Sequence, residues 1–369
     1  MRRIASWVAM TGCALLLALP AMAQLSIGAL ETNYTIDFDT TVAGVNEGQF
    51  AGAGFQPTPT VGQLDSDGIM ATGFDDPAGG TMTFGDTRTY GDFARGQGLL
   101  ALAHSNQGGV WAYELTAGNF AIGVQMGSGD FTPGDIVLKI VNSTGFTTYS
   151  IDLSFAVGAF NYGDRANSFN LSYSLDNVTY GANLVEFTTP LTKDVSPAWV
   201  TSPKSVTIDL NSTPLASGSA IYLRWRGDEA GGASSRDAVA LDDIVIKAYP
   251  RDEMPPTIVS DATTPSIEST DATKILVTFN EKVKNQEVDY TLFTVKVNGS
   301  PATVSGAAIT GDTTAEVTIS SPMIFAGDTV LLSYTRAPAR VAGEIEDLAG
   351  NFLASVADIP VVNNLTPVG

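Results

Sequence analysis

Alternation of apolar and polar residues with a period of two is the feature that most constrains how this chain can fold. The segments 34–38, 120–126, 149–155, 169–173 and 221–225 all show it. Successive side chains of a β-strand point to opposite faces, so each segment predicts a strand with one buried face. The sequence shows no amphipathic helix pattern longer than two turns. We therefore predict an all-β chain built from sandwich or jelly-roll sheets.

A proline-rich segment indicates where one domain ends. Residues 250–256 read PRDEMPP, and proline is disfavoured inside helices and central strands. A second series of strand patterns follows, of roughly the 100 residues that an Ig-like domain needs. We predict a jelly-roll or lectin-like β-sandwich at 24–249, a linker at 250–256 and an Ig-like β-sandwich at 257–365.

Residues 1–23 have the layout of a secretory signal peptide. Two arginines precede an apolar run at 4–19, and residues 21–23 read AMA, a small-x-small cleavage pattern. We expect the mature chain to begin at Gln24 and to be secreted, extracellular or displayed at the cell surface. No later segment reaches the ~18 unbroken apolar residues of a spanning helix, so no membrane span is predicted.

Cysteine and histidine each occur only once in the chain, which disfavours several kinds of catalytic site. Cys13 is the only cysteine and lies inside the signal segment, and His104 is the only histidine. Serine–histidine triads and two-histidine metal sites are therefore disfavoured. Cleavage of the signal would also leave no disulfide or thiolate. An alternative interpretation makes MTGC a lipobox with an acylated Cys13.

Charge and composition bear on the remaining classes. The net charge is −20, and such a surface repels the nucleic-acid backbone, so no nucleic-acid partner is predicted. A glycosidase needs two carboxyls ~5–10 Å apart in a cleft, which spacing in the sequence does not show. The Gly-rich stretches near Gln49 and Gly227 precede no helix pattern and are not phosphate loops. We predict no enzymatic activity and no cofactor, with calcium as the one ion to consider.

The stretch LRWRGDEAGGASSRDAVALDDIVI, residues 223–246, concentrates charge in a chain with only 16% charged residues. If it forms a two-stranded hairpin, Arg224 or Arg226 comes within reach of Asp242 or Asp243. We favour this structural ion pair. Calcium, which binds six to eight oxygens at ~2.3–2.6 Å, is the alternative. Its candidate ligands are Asp228, Glu229, Asp237 and Asp242.

A second acidic segment lies in the C-terminal domain. Glu344, Glu346 and Asp347 precede Gly350 and Asn351. An ion site is conceivable there. We favour instead a turn in which the Asp or Asn side chain bonds to its own backbone.

Both domains resemble known families. The stretches LFTVKVNGSPATVSG and AGDTVLLSYTRAPARVAGEIEDLAGNFLAS resemble the bacterial Ig-like repeat of cyanobacterial swimming-motility surface glycoproteins, which implies a spacer or presentation module. The stretches FARGQGLLALAHSNQGGVWAY and DIVLKIVNSTGFTTYSIDLSF resemble a jelly-roll module at the front of secreted bacterial proteins. Such modules look like lectin or carbohydrate-binding folds.

These observations predict a secreted, non-catalytic modular surface protein with a recognition or structural jelly roll followed by an Ig-like spacer. The role implied is adhesive or carbohydrate-binding, and the partner expected is an extracellular glycan or cell-surface matrix. The alternative is the N-terminal, non-catalytic portion of a larger exported hydrolase, of nuclease, phosphatase or glycosidase type.

Overall fold

The computed structural model divides the chain into two compact units, Met1–Pro250 and Arg251–Gly369. The signal segment, Cys13 and His104 lie outside the described residues. Within the described ranges, no helix is long and apolar enough to cross a membrane. The ranges described are 25–76, 80–98, 107–267, 271–339 and 341–367.

Fourteen β-strands and a 3₁₀ turn at Gly91–Phe93 form the regular structure in the described part of the first unit. In chain order its strands are β1 (Ser26–Ile27), β2 (Tyr34–Ile36), β3 (Phe55–Gln56), β4 (Leu64–Asp65), β5 (Ile69–Thr72), β6 (Gln97–Gly98), β7 (Gly109–Thr116), β8 (Asn119–Gln125), β9 (Gly134–Asn142), β10 (Ser150–Phe160), β11 (Arg165–Ser174), β12 (Trp199–Asp209), β13 (Ala220–Gly232) and β14 (Ala238–Tyr249).

Two sheets pack against each other in this unit. The first sheet has the order β1-β9-β13-β11, with β5 also on β9. The second has the order β12-β10-β14-β8-β7-β6, with β2 also on β14. Trp225 of the first sheet and Phe155 of the second meet edge to face in the shared core, with ring centroids 5.4 Å apart. The predicted all-β sandwich is confirmed.

The predicted hairpin of the charge-rich stretch is wrong. β13 lies in the first sheet between β9 and β11, whereas β14 lies in the second sheet between β10 and β8. The two strands follow each other in sequence but face each other across the core. Alternation of apolar and polar residues indicates only that one face of a strand is buried. Both strands show this alternation, and it is equally compatible with a place in either sheet.

The second unit is built from seven strands in the part that the structure describes, with a 3₁₀ turn at Tyr290–Leu292. They form a closed barrel in the order β15-β16-β19-β18-β17-β20-β21, in which β21 runs parallel to β15. Phe293 and Tyr334 meet in its core, with ring centroids 5.1 Å apart. The strands are β15 (Ser266–Ile267), β16 (Lys274–Thr278), β17 (Phe293–Val297), β18 (Ser300–Gly311), β19 (Thr314–Ser321), β20 (Val330–Tyr334) and β21 (Val356–Asn363).

Asp65 of β4 makes the stability of the first unit depend on pH. The residue is 2% exposed, and burial raises the pKa of its carboxyl to about 6, against a smaller lowering by the Asp67 N–H. Because this folded-state pKa lies above the ordinary value, the contribution of Asp65 to stability is largest below about pH 4 and falls as the pH rises from ~4 through 6. Asp65→Asn is expected to remove that fall, so the variant should exceed the wild type by ~1–3 kcal/mol at pH 7 and match it near pH 4.

Urea unfolding of the full chain at several pH values between 4 and 7 measures this difference. Asp228→Asn, which changes an exposed carboxylate, is the control and should keep the wild-type pH dependence. The same slope in Asp65→Asn as in the wild type would contradict the assignment.

Candidate functional site

The four predicted calcium ligands do not lie together on one sheet. Asp228 and Glu229 are exposed on β13 of the first sheet. Asp237 lies immediately before β14, and Asp242 lies within β14, in the second sheet. Both are buried. The four residues were expected to lie together only because β13 and β14 were expected to pair in one hairpin, which they do not.

Three of these four carboxylates accept hydrogen bonds from nearby protein groups. Asp228 Oδ1 accepts one from the Glu229 N–H at 2.7 Å. Glu229 Oε2 accepts hydrogen bonds from Arg165 at 3.1 Å and from Arg236 at 2.8 Å. Asp237 Oδ1 accepts one from the Gly163 N–H at 3.0 Å. The described residues do contain clusters of three close carboxylates, but these are elsewhere: Asp75, Asp92 and Asp130 in one, and Asp252, Glu281 and Asp347 in the other.

The two arginines of the charge-rich stretch are paired, but with an aspartate of another strand. Asp135 of β9 lies opposite Arg226 in the ladder, and its two oxygens accept from Arg226 Nη1 at 3.2 Å. Arg224 Nε lies 3.8 Å from Asp135 Oδ1. Burial raises the pKa of Asp135, and the two guanidinium groups oppose that rise. A structural ion pair is present, but Asp242 and Asp243 form no salt bridge with any residue that the structure describes.

Asp242 is therefore the predicted ligand with the most unusual surroundings. It is 1% exposed, and its Oδ1 is buried without a hydrogen-bond partner among the described residues, as is Oδ1 of Asn119. The pKa of Asp242 is raised to about 7, chiefly by burial and to a smaller extent by the carboxylates of Asp243 and Asp39, whereas the Asp243 N–H and the Asn119 side chain lower it. None of the three aspartates forms a salt bridge within the described ranges. Unpaired acceptor oxygens beside uncompensated negative charge fit an oxygen-binding cation such as calcium.

The second acidic segment is also satisfied internally. Asp347 Oδ1 accepts from the Asn351 N–H at 2.8 Å, as in the favoured side-chain-to-backbone turn. Glu344 pairs with Arg336 at 3.2 Å, and Glu346 pairs with a lysine at 3.2 Å.

A cluster of aromatic rings covers the outward face of the second sheet. Side chains at 110 and 112 of β7 point into the core, and those at 111, 113 and 115 point the other way. Solvent-facing sheet surfaces are ordinarily polar, so an apolar cluster there is a candidate binding surface. We call it the aromatic face, and it consists of Trp111, Tyr113, Phe160, Tyr162 and Trp199.

The rings of the aromatic face form a continuous series. Tyr113 lies between the two tryptophans, with its centroid 6.1 Å from that of Trp111 and 4.8 Å from that of Trp199. Phe160 follows at 5.6 Å from Trp199 and 6.0 Å from Tyr162. Tyr113 and Phe160 are buried, whereas the two tryptophans and Tyr162 are half-buried. Three rings therefore reach solvent above two that support them.

Small residues let these rings lie close to the sheet. A Cβ at Gly98 or Gly123 would collide with the Tyr113 ring, and one at Gly158 would lie 3.3 Å from the Trp199 ring. The buried alanines of the same cluster are Ala121, Ala238 and Ala240. The rings themselves are uncharged and apolar, so they suit a ligand with apolar surfaces.

Sequence reasoning did not find the aromatic face. Its members come from β7, from the end of β10 and the residues just after it, and from β12. Trp111 and Trp199 are more than 80 positions apart in the sequence. The available signal was local: Trp111 and Tyr113 alternate with core residues on β7, so a large aromatic pair had to face outward. Their meeting with Trp199 depends on sheet order.

Comparison with known proteins gives no family. No protein-family model and no curated protein matches the chain. Similar solved structures include the N-terminal part of the bacterial S-layer protein SbsC, with 18% identity, 31% of this chain and 25% of that chain covered, and a TM-score of 0.24. The K3 cleaved adhesin domain of Lys-gingipain from Porphyromonas gingivalis has 14% identity, coverage of 36% and 76%, and a TM-score of 0.25.

A non-crystalline cellulose specific carbohydrate-binding module is also similar, with 10% identity, coverage of 38% and 80%, and a TM-score of 0.25. These three structures are a surface-layer protein, an adhesin domain and a carbohydrate-binding module. TM-scores this low carry no argument about function. The resemblance to the cyanobacterial Ig-like repeat stays a prediction.

Proposed function

We propose that the chain is a non-catalytic binding protein whose first unit holds an uncharged glycan against the aromatic face. A sugar ring has apolar C–H faces and a polar hydroxyl rim, so half-buried indole and phenol rings are suitable partners for it. The observation that carries the proposal is the placement of Trp111, Tyr162 and Trp199, half-buried on the outward side of a sheet whose inward side is already a complete core.

The remaining predictions complete this proposal. Export through the signal segment would place the first unit where extracellular glycans occur, and the second unit would act as a spacer. Calcium would be a structural ion at Asp242, whose buried Oδ1 has no hydrogen-bond partner among the described residues. The other three predicted ligands, Asp228, Glu229 and Asp237, would not share that site.

A glycan array probed with the full chain, with calcium and with chelator, tests the proposed function. We expect retention on neutral polysaccharides or oligosaccharides, because the aromatic face contacts ring faces and not charges. An array on which no neutral glycan is bound under either condition would overturn the proposal.

A further inference from the structure

The outward face of the first sheet carries a second unusual surface. Even-numbered residues of β13 point outward, because the odd-numbered Leu223 and Trp225 are in the core. Arg224 and Arg226 therefore lie on this face, and Lys139 of β9 lies opposite Tyr222 in the neighbouring ladder. The chain has only 19 lysines and arginines against 39 acidic residues, so three cations along one strand pair are a local concentration.

Aromatic rings alternate with these cations. The guanidinium carbon of Arg224 lies 3.9 Å from the centroid of Tyr180. The Lys139 ammonium lies 5.6 Å from the centroid of Phe84, and that ring lies 5.8 Å from Tyr222. All three rings are half-buried. We call this surface, made of Lys139, Arg224, Arg226, Phe84, Tyr180 and Tyr222, the cationic strip.

The carboxylates of the described residues do not neutralise all the positive charge of the cationic strip. Asp135 is the one carboxylate within 4.0 Å of either arginine among the described residues, and no salt bridge is formed by Lys139 in the same ranges. Arg224 Nε is buried without a hydrogen-bond partner, while the Arg226 side chain is 42% exposed. Asp176, which also acts on Tyr180, is bound within its own turn by the N–H groups of 178 and 179.

We propose that the cationic strip binds an anionic polysaccharide through its carboxylate or sulfate groups. Guanidinium and ammonium groups supply the charge-assisted hydrogen bonds that such oxygens accept, and the rings beside them supply apolar surface for the sugar. The acidic remainder of the chain opposes this binding only weakly at physiological salt, since charges beyond ~8 Å are largely screened. The site is independent of the aromatic face and lies on the opposite sheet.

Affinity electrophoresis of the full chain tests the proposal in gels that contain polygalacturonate, dextran sulfate or unmodified dextran. We expect retardation by at least one of the two charged glycans, weakened by raised salt. The double variant Lys139→Gln, Arg226→Gln should bind about tenfold or more weakly. Lys247→Gln removes a lysine that lies 4.9 Å from the Tyr249 ring on the other sheet and is the matched control.

The gels also distinguish carboxylate from sulfate as the group that is bound, and binding by the cationic strip from binding by the aromatic face. Retardation by polygalacturonate alone assigns a carboxylate, by dextran sulfate alone a sulfate, and either supports the proposal. Trp199→Ala should leave this binding unchanged, because Trp199 belongs to the aromatic face. The test of the cationic strip therefore does not depend on whether the aromatic face binds a neutral glycan. Absence of retardation, undiminished binding by the double variant, or equal retardation by polyglutamate would overturn it.

Discussion

Calcium at pH 7 is expected to raise a melting transition of the full chain by about 5–10 °C over its value in a chelator. Asp242→Asn is expected to abolish this difference. In the chelator at the same pH, the variant is also expected to melt above the wild type, because it lacks a buried charge that has no cation partner. A thermal melt followed by circular dichroism measures all three effects.

The size of the shift follows from the surroundings of Asp242. Its carboxyl is 1% exposed, and its pKa of about 7 shows that ionisation there is costly without a counter-charge. A divalent cation would supply that charge and would satisfy the unpaired Oδ1 of Asp242. A ligand at 100 times its dissociation constant stabilises the folded state by ~2.7 kcal/mol, which for a unit of this size is several degrees.

Asp228→Asn is the matched control for the calcium experiment. Asp228 was an equally good ligand by sequence, but it is exposed on the other sheet, so its variant should keep the full calcium shift. Identical wild-type melts with calcium and with chelator would contradict the calcium assignment, as would a shift that survives in Asp242→Asn.

The all-β fold could be predicted because period-two alternation is a local property that each strand carries by itself. Segment 169–173, for example, lies within β11, and residues 150–155 of the segment 149–155 lie within β10. Sheet membership could not be predicted in the same way. β13 and β14 have the same pattern and adjoin in sequence, and only the pairing of β13 with β9 and of β14 with β10 assigns them to opposite sheets.

The candidate site was less predictable than the fold for the same reason. Asp242 could be named from sequence because an acidic residue in an apolar strand is locally conspicuous. Its neighbour Asn119 could not, because the contact depends on β8 lying beside β14. Trp199, which lies across the sheet from Trp111, was equally invisible until the order of six strands was known.

Removal of one indole from the aromatic face is expected to have the largest effect on glycan binding. Trp199 contacts both Tyr113 and Phe160, so it lies at the centre of the ring series. Loss of a central tryptophan at a binding surface typically costs at least ~2 kcal/mol, or about 30-fold in affinity. Trp199→Phe should retain most of the affinity, because it keeps a six-membered aromatic ring. It removes the five-membered ring of the indole, whose Nε1–H has no acceptor in the described chain.

Phe146→Ala is the control for this experiment, since it removes an aromatic ring that is 67% exposed elsewhere on the first unit. Each variant is first shown to melt cooperatively, so that loss of binding is not loss of fold. The decisive measurement is the dissociation constant of the full chain for the tightest neutral glycan of the array, determined by calorimetry for the wild type and the three variants. We predict an increase of about 30-fold or more for Trp199→Ala and near-wild-type values for Trp199→Phe and Phe146→Ala. An unchanged dissociation constant in Trp199→Ala would contradict the assignment of glycan binding to the aromatic face.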